Sequence, residues 1–212
     1  RKPIWNSKLC QDKYPILVDA SKLIADPSVR NRATVGGNIA HGDAANDQPA
    51  VMLAMRATIV ADGPNGRKSI PIDEFFHGFY MTALEQFDIL TEVHFPAHKK
   101  GTGNAYHKIE RKVGDYAASG VAVNLVIDAN EVVQEIGIGL TNVNSVPMRV
   151  ERAEALLKGQ KITDDLINQA GQMAAEDCSP NSDLRGSEAY KRSITRELTK
   201  RMITKALERA KA

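Results

Sequence analysis

Two adjacent glycines flanked by hydrogen-bonding side chains, Thr34-Val35-Gly36-Gly37-Asn38-Ile39, are the residues whose types and spacing most suggest chemistry. Glycine reaches positive φ without steric penalty, so successive backbone N–H groups can converge into a nest for an anion. A hydroxyl at Thr34 and an amide at Asn38 add donors beside that nest, a set that suits the pyrophosphate of a dinucleotide. Asp47 follows at a helix start, where it either accepts hydrogen bonds from ribose hydroxyls or caps the helix. On spacing alone, a Gly-Gly pair more often marks a tight turn. Nor is this the Rossmann fingerprint, because the G-x-G-x-x-G spacing is absent and no strand-turn-helix-strand unit surrounds it.

Other clusters point more weakly. His94 and His98 would share a helix face as a metal pair, but Pro96 stands between them in a strand-like context, which argues against coordination. The basic run Arg192, Arg196, Lys200, Arg201, Lys205, Arg209 and Lys211 reads as a solvated helix face rather than a docking site for an acidic subunit. Asp183-Leu184-Arg185-Gly186-Ser187 gathers polar groups, yet its place before the last helix makes Ser182 or Ser187 a cap and Arg185 an internal tie. No Ser-His-Asp or Cys-His arrangement can be read from the order of residues.

The elements that must position these groups are legible from periodicity. Pro15 to Ala25 reads as a short amphipathic helix ended by Asp26-Pro27, with a loop through the glycine pair, and Asp47-Gln48-Pro49 opens a helix through Val51, Leu53 and Met55. Strands are predicted at Thr58 to Ala61, Ser69 to Ile72, Ile89 to Phe95, Ala105 to Glu110, Val121 to Asp128, Val132 to Leu140 and Val146 to Val150, forming an antiparallel sheet. After Arg149 the pattern turns helical: Val150 to Lys158 stopped by Gly159, a helix capped by Thr163, and a last helix in which Ile194, Leu198, Met202 and Ala206 recur every four residues. The class is α+β, with strands first and helices after.

Bulk properties narrow the function. With 212 residues, 42% hydrophobic and 25% charged, a substantial core is expected, and a formal charge of only +2 gives no reason to expect nucleic acid or an anionic membrane as partner. Cys10 and Cys178 are far apart and in no ligand pair, so neither a disulfide framework nor a zinc site is implied. The start, Arg1-Lys2-Pro3-Ile4-Trp5, has no signal-peptide apolar region, and the apolar stretch Val121 to Ile127 is far too short to span a bilayer. A cytoplasmic protein without membrane insertion is expected.

The run Ile24 to Asn38 resembles the second flavin motif of the medium subunits of molybdenum hydroxylases, the carbon monoxide dehydrogenase and xanthine dehydrogenase superfamily, and Asp47-Gln48-Pro49-Ala50 fits its continuation. The resemblance extends through Phe75-Phe76-His77-Gly78, Leu90-Thr91-Glu92-Val93, the block Tyr106 to Ala117 and the block Asp183 to Arg192. It implies an α+β chain: the second subdomain of a vanillyl-alcohol-oxidase-type FAD-binding fold, followed by a C-terminal α+β domain of the carbon monoxide dehydrogenase flavoprotein type. Residues 1–100 would form a partial FAD-binding domain and 101–212 the C-terminal domain.

Carried onto matching positions, the resemblance places Thr34, Val35, Gly36, Gly37 and Asn38 at the pyrophosphate and the flavin end. It makes Ile24 and Leu90 apolar contacts and Asp47 a polar one, with Lys108, Asp115 and Tyr116 near the isoalloxazine. It implies an oxidoreductase subunit that passes electrons from iron–sulfur clusters through FAD to an external acceptor. Substrate would be hydroxylated at molybdopterin on a large partner subunit, and 2Fe–2S clusters would sit on a small one, making a heterotrimer. Two departures stand out. The family usually places Gly at the position of Ala33, and it carries an earlier glycine-rich loop of the Ala-Gly-Gly-Gln-Ser type that this sequence lacks. The expectation is therefore an N-terminally truncated chain with half of the pyrophosphate cradle. Losing charge-assisted hydrogen bonds of roughly 1.5–3 kcal/mol each would leave FAD weakly held or absent. A flavin-free docking subunit of the same complex is the competing expectation.

Overall fold

The computed structural model describes residues 2–212; Arg1 lies outside the described residues. The chain opens with short helices: α1 (Lys2–Asn6), α2 (Lys8–Lys13), α3 (Pro15–Leu23), α4 (Pro27–Arg32), α5 (Val35–Ala40) and α6 (Asp47–Ala54). Their starts are set by local chemistry. Asp26 accepts the Val29 amide at 2.9 Å and Pro27 presets φ for the first turn of α4. Thr34 accepts the Gly37 amide at 2.9 Å and starts α5. The stretch from Asp26 to Asn38, expected as loop, is therefore mostly helical; α3 already ends at Leu23, with Ile24 as its C-cap and Ala25 turning left-handed, and Pro27 begins the next helix. Of the helices that precede the strands, α3 and α6 match the two predicted at Pro15 to Ala25 and from Asp47, whereas α1, α2, α4 and α5 are not in the sequence reading.

A hairpin, β1 (Thr58–Gly63) and β2 (Gly66–Pro71), turns through a 3-10 segment at Ile72–Glu74 into a two-stranded ribbon, β3 (Phe76–Gly78) and β4 (Met81–Thr82). Strand β5 (Ile89–His94) returns beside β1, giving an antiparallel sheet of order β2-β1-β5. Strands β6 (Thr102–Glu110), β7 (Ala117–Ile127), β8 (Val133–Thr141) and β9 (Met148–Arg149) form a second antiparallel sheet in sequence order. The expected strands thus form two separate main sheets, joined by the unpaired segment around Pro96, whose ring nitrogen has no hydrogen to donate to a ladder. Helices α7 (Glu151–Leu157), α8 (Asp164–Asp177) and α9 (Glu188–Lys211) complete the chain.

Strand β7 is buried on both faces. Val121, Val123, Leu125 and Ile127 meet Leu198, Met202, Ile203 and Ala206 of α9 in one core, while Ala122 on the opposite face joins Tyr106 and the apolar residues of α3 and α6 in another. Helix α6 lies directly on β7 and β8. That approach depends on two strand glycines, because a Cβ at Gly137 would collide with the carbonyl oxygen of Ala54 and one at Gly139 with that of Ala50. The N-terminal end of α6 is pinned to the same sheet. Thr141 Oγ1 donates to the carbonyls of Ala44 (2.7 Å) and Asn46 (2.5 Å), and the Asn142 amide donates to Ala44 at 2.8 Å.

Because the obstruction is rigid backbone, Gly139→Ala should destabilise the protein by about 1–3 kcal/mol or more, as overpacking of a tight core does. A urea midpoint unchanged from wild type would show that α6 is free to lift from the sheet.

Candidate functional site

A cleft of about 900 Å³ opens between the α3–α5 region and the loop joining β6 to β7. Its first wall includes Ile24, Val29, Thr34, Gly37 and Asn38, its floor Asn46 and Asp47, and its second wall Lys112 to Tyr116. At one rim the walls touch. Ala25 takes a left-handed φ of 49° and Gly114 one of 85°, and a Cβ at Gly114 would come within 2.9 Å of the Ala25 carbonyl oxygen. Arg30 donates to the carbonyls of Ile24 (3.1 Å) and Ala25 and so braces this strained corner from behind.

Within the glycine motif the expected nest is not formed. Gly36 and Gly37 occupy the first turn of α5, and neither has a positive φ. Their smallness serves packing. A Cβ at Gly36 would press on Leu90 Cδ2 at 3.2 Å, and one at Gly37 would come within 3.0 Å of Thr34 Oγ1. Thr34, Gly37 and Asn38 face the cleft, whereas Val35, Gly36 and Leu90 stand behind its wall. Asn38 ties α5 to α6 by accepting from Asn46 Nδ2 at 2.8 Å on its carbonyl. Its side-chain oxygen Oδ1 is buried with no partner among the described residues. A lone buried acceptor on the wall of a cleft is suited to a ligand's donor. Ala33 has φ −69° and ψ 142°, an extended conformation open to any residue, so its departure from the family's glycine is not strained.

Asp47 is not a helix cap; Asn46 holds that position and makes no side-chain cap, while Asp47 sits in the first turn, buried. It accepts from the Tyr106 hydroxyl on Oδ1 and from Lys108 Nζ on Oδ2 at 3.1 Å. Lys108, its side chain only 1% exposed, also donates to the Asp115 carbonyl at 2.8 Å and pairs with Glu110 at 3.1 Å. Burial pushes the Asp47 carboxyl upward, against the pull of the Lys108 ammonium and the Tyr106 hydroxyl. Burial together with the Asp47 charge holds the Tyr106 hydroxyl well above its ordinary value, so it remains a donor. Lys108 therefore lies beneath the floor rather than in the cleft. Tyr106 escapes the sequence reading, although its two-residue spacing from Lys108 on one strand puts both on the same face.

Asp115 and Tyr116 form the second wall. Asp115 Oδ1 accepts the Tyr116 amide at 2.8 Å and Arg185 Nη2 at 3.0 Å, and the Arg185 guanidinium lies 5.5 Å from the Tyr116 ring centroid. Burial opposes it, but the hydrogen bonds from Arg185 and Tyr116 and the charges of Arg185 and Arg111 hold the Asp115 carboxyl below its usual range. Arg185 is thus an internal tie, and the group it ties is the cleft loop.

A second cleft, about 640 Å³, contains Arg56, Arg149 and Glu154. These charges are mutually paired, Arg149 to Glu154 and Arg56 to Glu154 at 2.8 Å, so it reads as a salt-bridged junction. His94 pairs with Glu92 at 2.5 Å, and among the described residues no group of His, Cys, Asp and Glu is placed to hold a metal ion. No helix among the described residues is long and apolar enough to cross a membrane. The basic face of α9 is partly spent inside the chain: Arg192 donates to the Ala175 carbonyl at 2.8 Å, and Arg209 to Asp19 at 2.7 Å.

The family model described as the FAD binding domain in molybdopterin dehydrogenase matches residues 3–98, and that of the CO dehydrogenase flavoprotein C-terminal domain matches residues 104–206. The chain is 43% identical over 204 residues to the carbon monoxide dehydrogenase medium chain of Hydrogenophaga pseudoflava, covering 96% of this chain and 71% of that one. Against the carbon monoxide dehydrogenase medium chain of Afipia carboxidovorans the identity is 37% over 199 residues, covering 94% and 69%. Among solved structures, the Hydrogenophaga pseudoflava carbon monoxide dehydrogenase that lacks the Mo-pyranopterin moiety of the molybdenum cofactor superposes with a TM-score of 0.93 at 44% identity, over 98% of this chain and 72% of that one.

Lys108→Met leaves Asp47 buried without its cation and should cost about 3–5 kcal/mol in chemical denaturation, whereas adding Asp47→Leu should recover much of that loss; no recovery would mean that the pair is not the interaction broken. Because Asp115 is depressed in the folded state, its stabilisation is complete above the unfolded Asp value of about 3.9 and is lost as pH falls through the lower folded value. The stability gap between wild type and Asp115→Asn should accordingly be full at neutral pH and shrink on acidification below that value; a pH-independent gap would contradict the assignment.

Proposed function

This chain belongs to the carbon monoxide dehydrogenase medium chain family, and on that premise we propose that it is the FAD-carrying electron-transfer subunit of a molybdenum hydroxylase. In this reading a large molybdopterin subunit oxidises the substrate, a small iron–sulfur subunit relays the electrons, and this subunit delivers them to an external acceptor. Residues 1–100 act as the flavin-binding part and 101–212 as the C-terminal domain, a division supported by the separation of the two main sheets at the Pro96 segment. We place the complex in the cytoplasm, consistent with the free thiols of Cys10 and Cys178.

The observation that carries the reading is the cleft between Thr34–Asn38 and Lys112–Tyr116. Its residues fit a flavin dinucleotide: Ile24, Val113 and Tyr116 offer apolar and aromatic surface, Arg32 and Lys112 positive charge, and Asn38 an unpaired buried acceptor. Its size falls within the roughly 300–1,000 Å³ of small-molecule sites. When bound, FAD supplies the redox chemistry, accepting electrons and passing them on. The chain's own residues hold and orient. Thr34 keeps the first turn of α5 in place, Asn38 offers its side-chain oxygen, Asp47 anchors the floor, and Tyr116 covers the second wall.

The polypeptide that carries this sequence, purified with its partners, should show a flavin spectrum bleached by the substrate of the complex; a reconstituted protein that never takes up FAD would defeat the reading. Within that protein, Asn38→Ala should weaken FAD binding about tenfold, the equivalent of one hydrogen bond of about 1.4 kcal/mol, with the melting temperature little changed. An unchanged affinity would remove Asn38 from the site.

A further inference from the structure

We propose that Arg185, from the segment between α8 and α9, is the positioning residue that sets the Tyr116 ring against the flavin. The proposal rests on the flavin reading above. Tyr116 is 42% exposed on a loop that turns through Gly114, so the loop's own backbone does little to orient its ring. One guanidinium supplies that orientation twice over. Its Nη2 donates to Asp115 Oδ1 at 3.0 Å, the same oxygen that accepts the Tyr116 amide at 2.8 Å, while its Cζ lies over the ring, 5.5 Å from the centroid. Charge-assisted hydrogen bonds and cation–π contacts are both directional, so together they restrict the backbone and the ring of one residue.

Arg185 is itself held more firmly than a surface tether requires. Asp183 and Gly186 bond amide to carbonyl in both directions, at 3.0 and 3.1 Å, and Asp183 Oδ1 accepts the Arg185 amide at 2.8 Å. The other Asp183 oxygen pairs at 2.9 Å with Lys191, whose side chain is 2% exposed and which also donates to the Asn181 carbonyl at 2.9 Å. Gly186, at φ 154°, has no room for a side chain, because a Cβ would meet Tyr190 Cδ1 at 2.5 Å. A buried lysine and an obligatory glycine thus fix the turn that aims the guanidinium. Meanwhile Arg185 Nε is buried without a hydrogen-bond partner. An arginine placed only to make hydrogen bonds would be expected to use that N–H; here the orientation favours the carboxylate and the ring.

Contact with a tyrosine ring quenches flavin fluorescence, which gives a readout independent of turnover. In the FAD-loaded protein purified with its partners, the flavin fluorescence lifetime is compared among wild type, Arg185→Gln, Arg185→Lys, Tyr116→Phe and the double variant Arg185→Gln/Tyr116→Phe. Arg185→Gln should lose most of the quenching and approach Tyr116→Phe, Arg185→Lys should retain part of it, and the double variant should match Tyr116→Phe alone, since both changes act through one contact. If Arg185→Gln does not fold, Arg185→Lys against Tyr116→Phe carries the same comparison. Wild-type quenching in a folded Arg185 variant, or additive effects in the double variant, would overturn the proposal. So would bound flavin whose lifetime ignores Tyr116→Phe, although that result would leave the flavoprotein reading standing. A wild type that takes up no FAD would instead overturn the flavin reading, and this proposal with it.

Discussion

The ion pair between Lys108 and Asp47 is the interaction on which the cleft depends. It sits in a part of the molecule from which water is excluded, where an unpaired charge is expensive and a paired one tolerable only if its remaining valences are met. They are met: Asp47 accepts from Tyr106 as well, and Lys108 reaches the Asp115 carbonyl and Glu110. The pair is therefore a three-way junction joining the first turn of α6, strand β6 and the loop that carries Tyr116. Its geometry requires α6 to lie flat on the second sheet, and Gly137 and Gly139 are what allow that approach.

From this junction the rest of the site can be traced outward. Fixing the start of α6 fixes Asn46, whose amide holds the Asn38 carbonyl and hence the end of α5. Fixing the Asp115 carbonyl fixes the base of the loop whose tip meets the Ala25 corner. Both walls thus hang from one buried charge, and the far end of the second wall is gripped by Arg185. On the function proposed above, such rigidity would serve to hold a redox group in a constant place and field.

Much of this was legible in the sequence, for local physical reasons. The strands from Thr58 to Thr141 alternate or run apolar between turn signals, and Thr163 and Ser187 cap helices through their own side chains. The family resemblance identified the cleft residues Ile24, Thr34, Asn38, Asp115 and Tyr116, which the structure gathers around one space. Other features depended on contacts distant in sequence. Gly36-Gly37 looks like a turn in isolation; the Thr34 cap makes it a helix start, and Leu90 and the Thr34 hydroxyl leave it tightly packed. Asp47 looks like a cap until Lys108, 61 positions away, claims it. The strand glycines 137 and 139 carry no local signal of the helix that will press on them, and the bond from Arg185 to Asp115 spans 70 positions.

The most direct test of this account is a crystal structure, with FAD bound, of the polypeptide that carries this sequence. The isoalloxazine should lie against Tyr116, the pyrophosphate beside Thr34 to Asn38, and the Lys108–Asp47 pair intact beneath them. Flavin density elsewhere, for instance in the junction around Arg149 and Glu154, or a floor in which Lys108 has released Asp47, would contradict it.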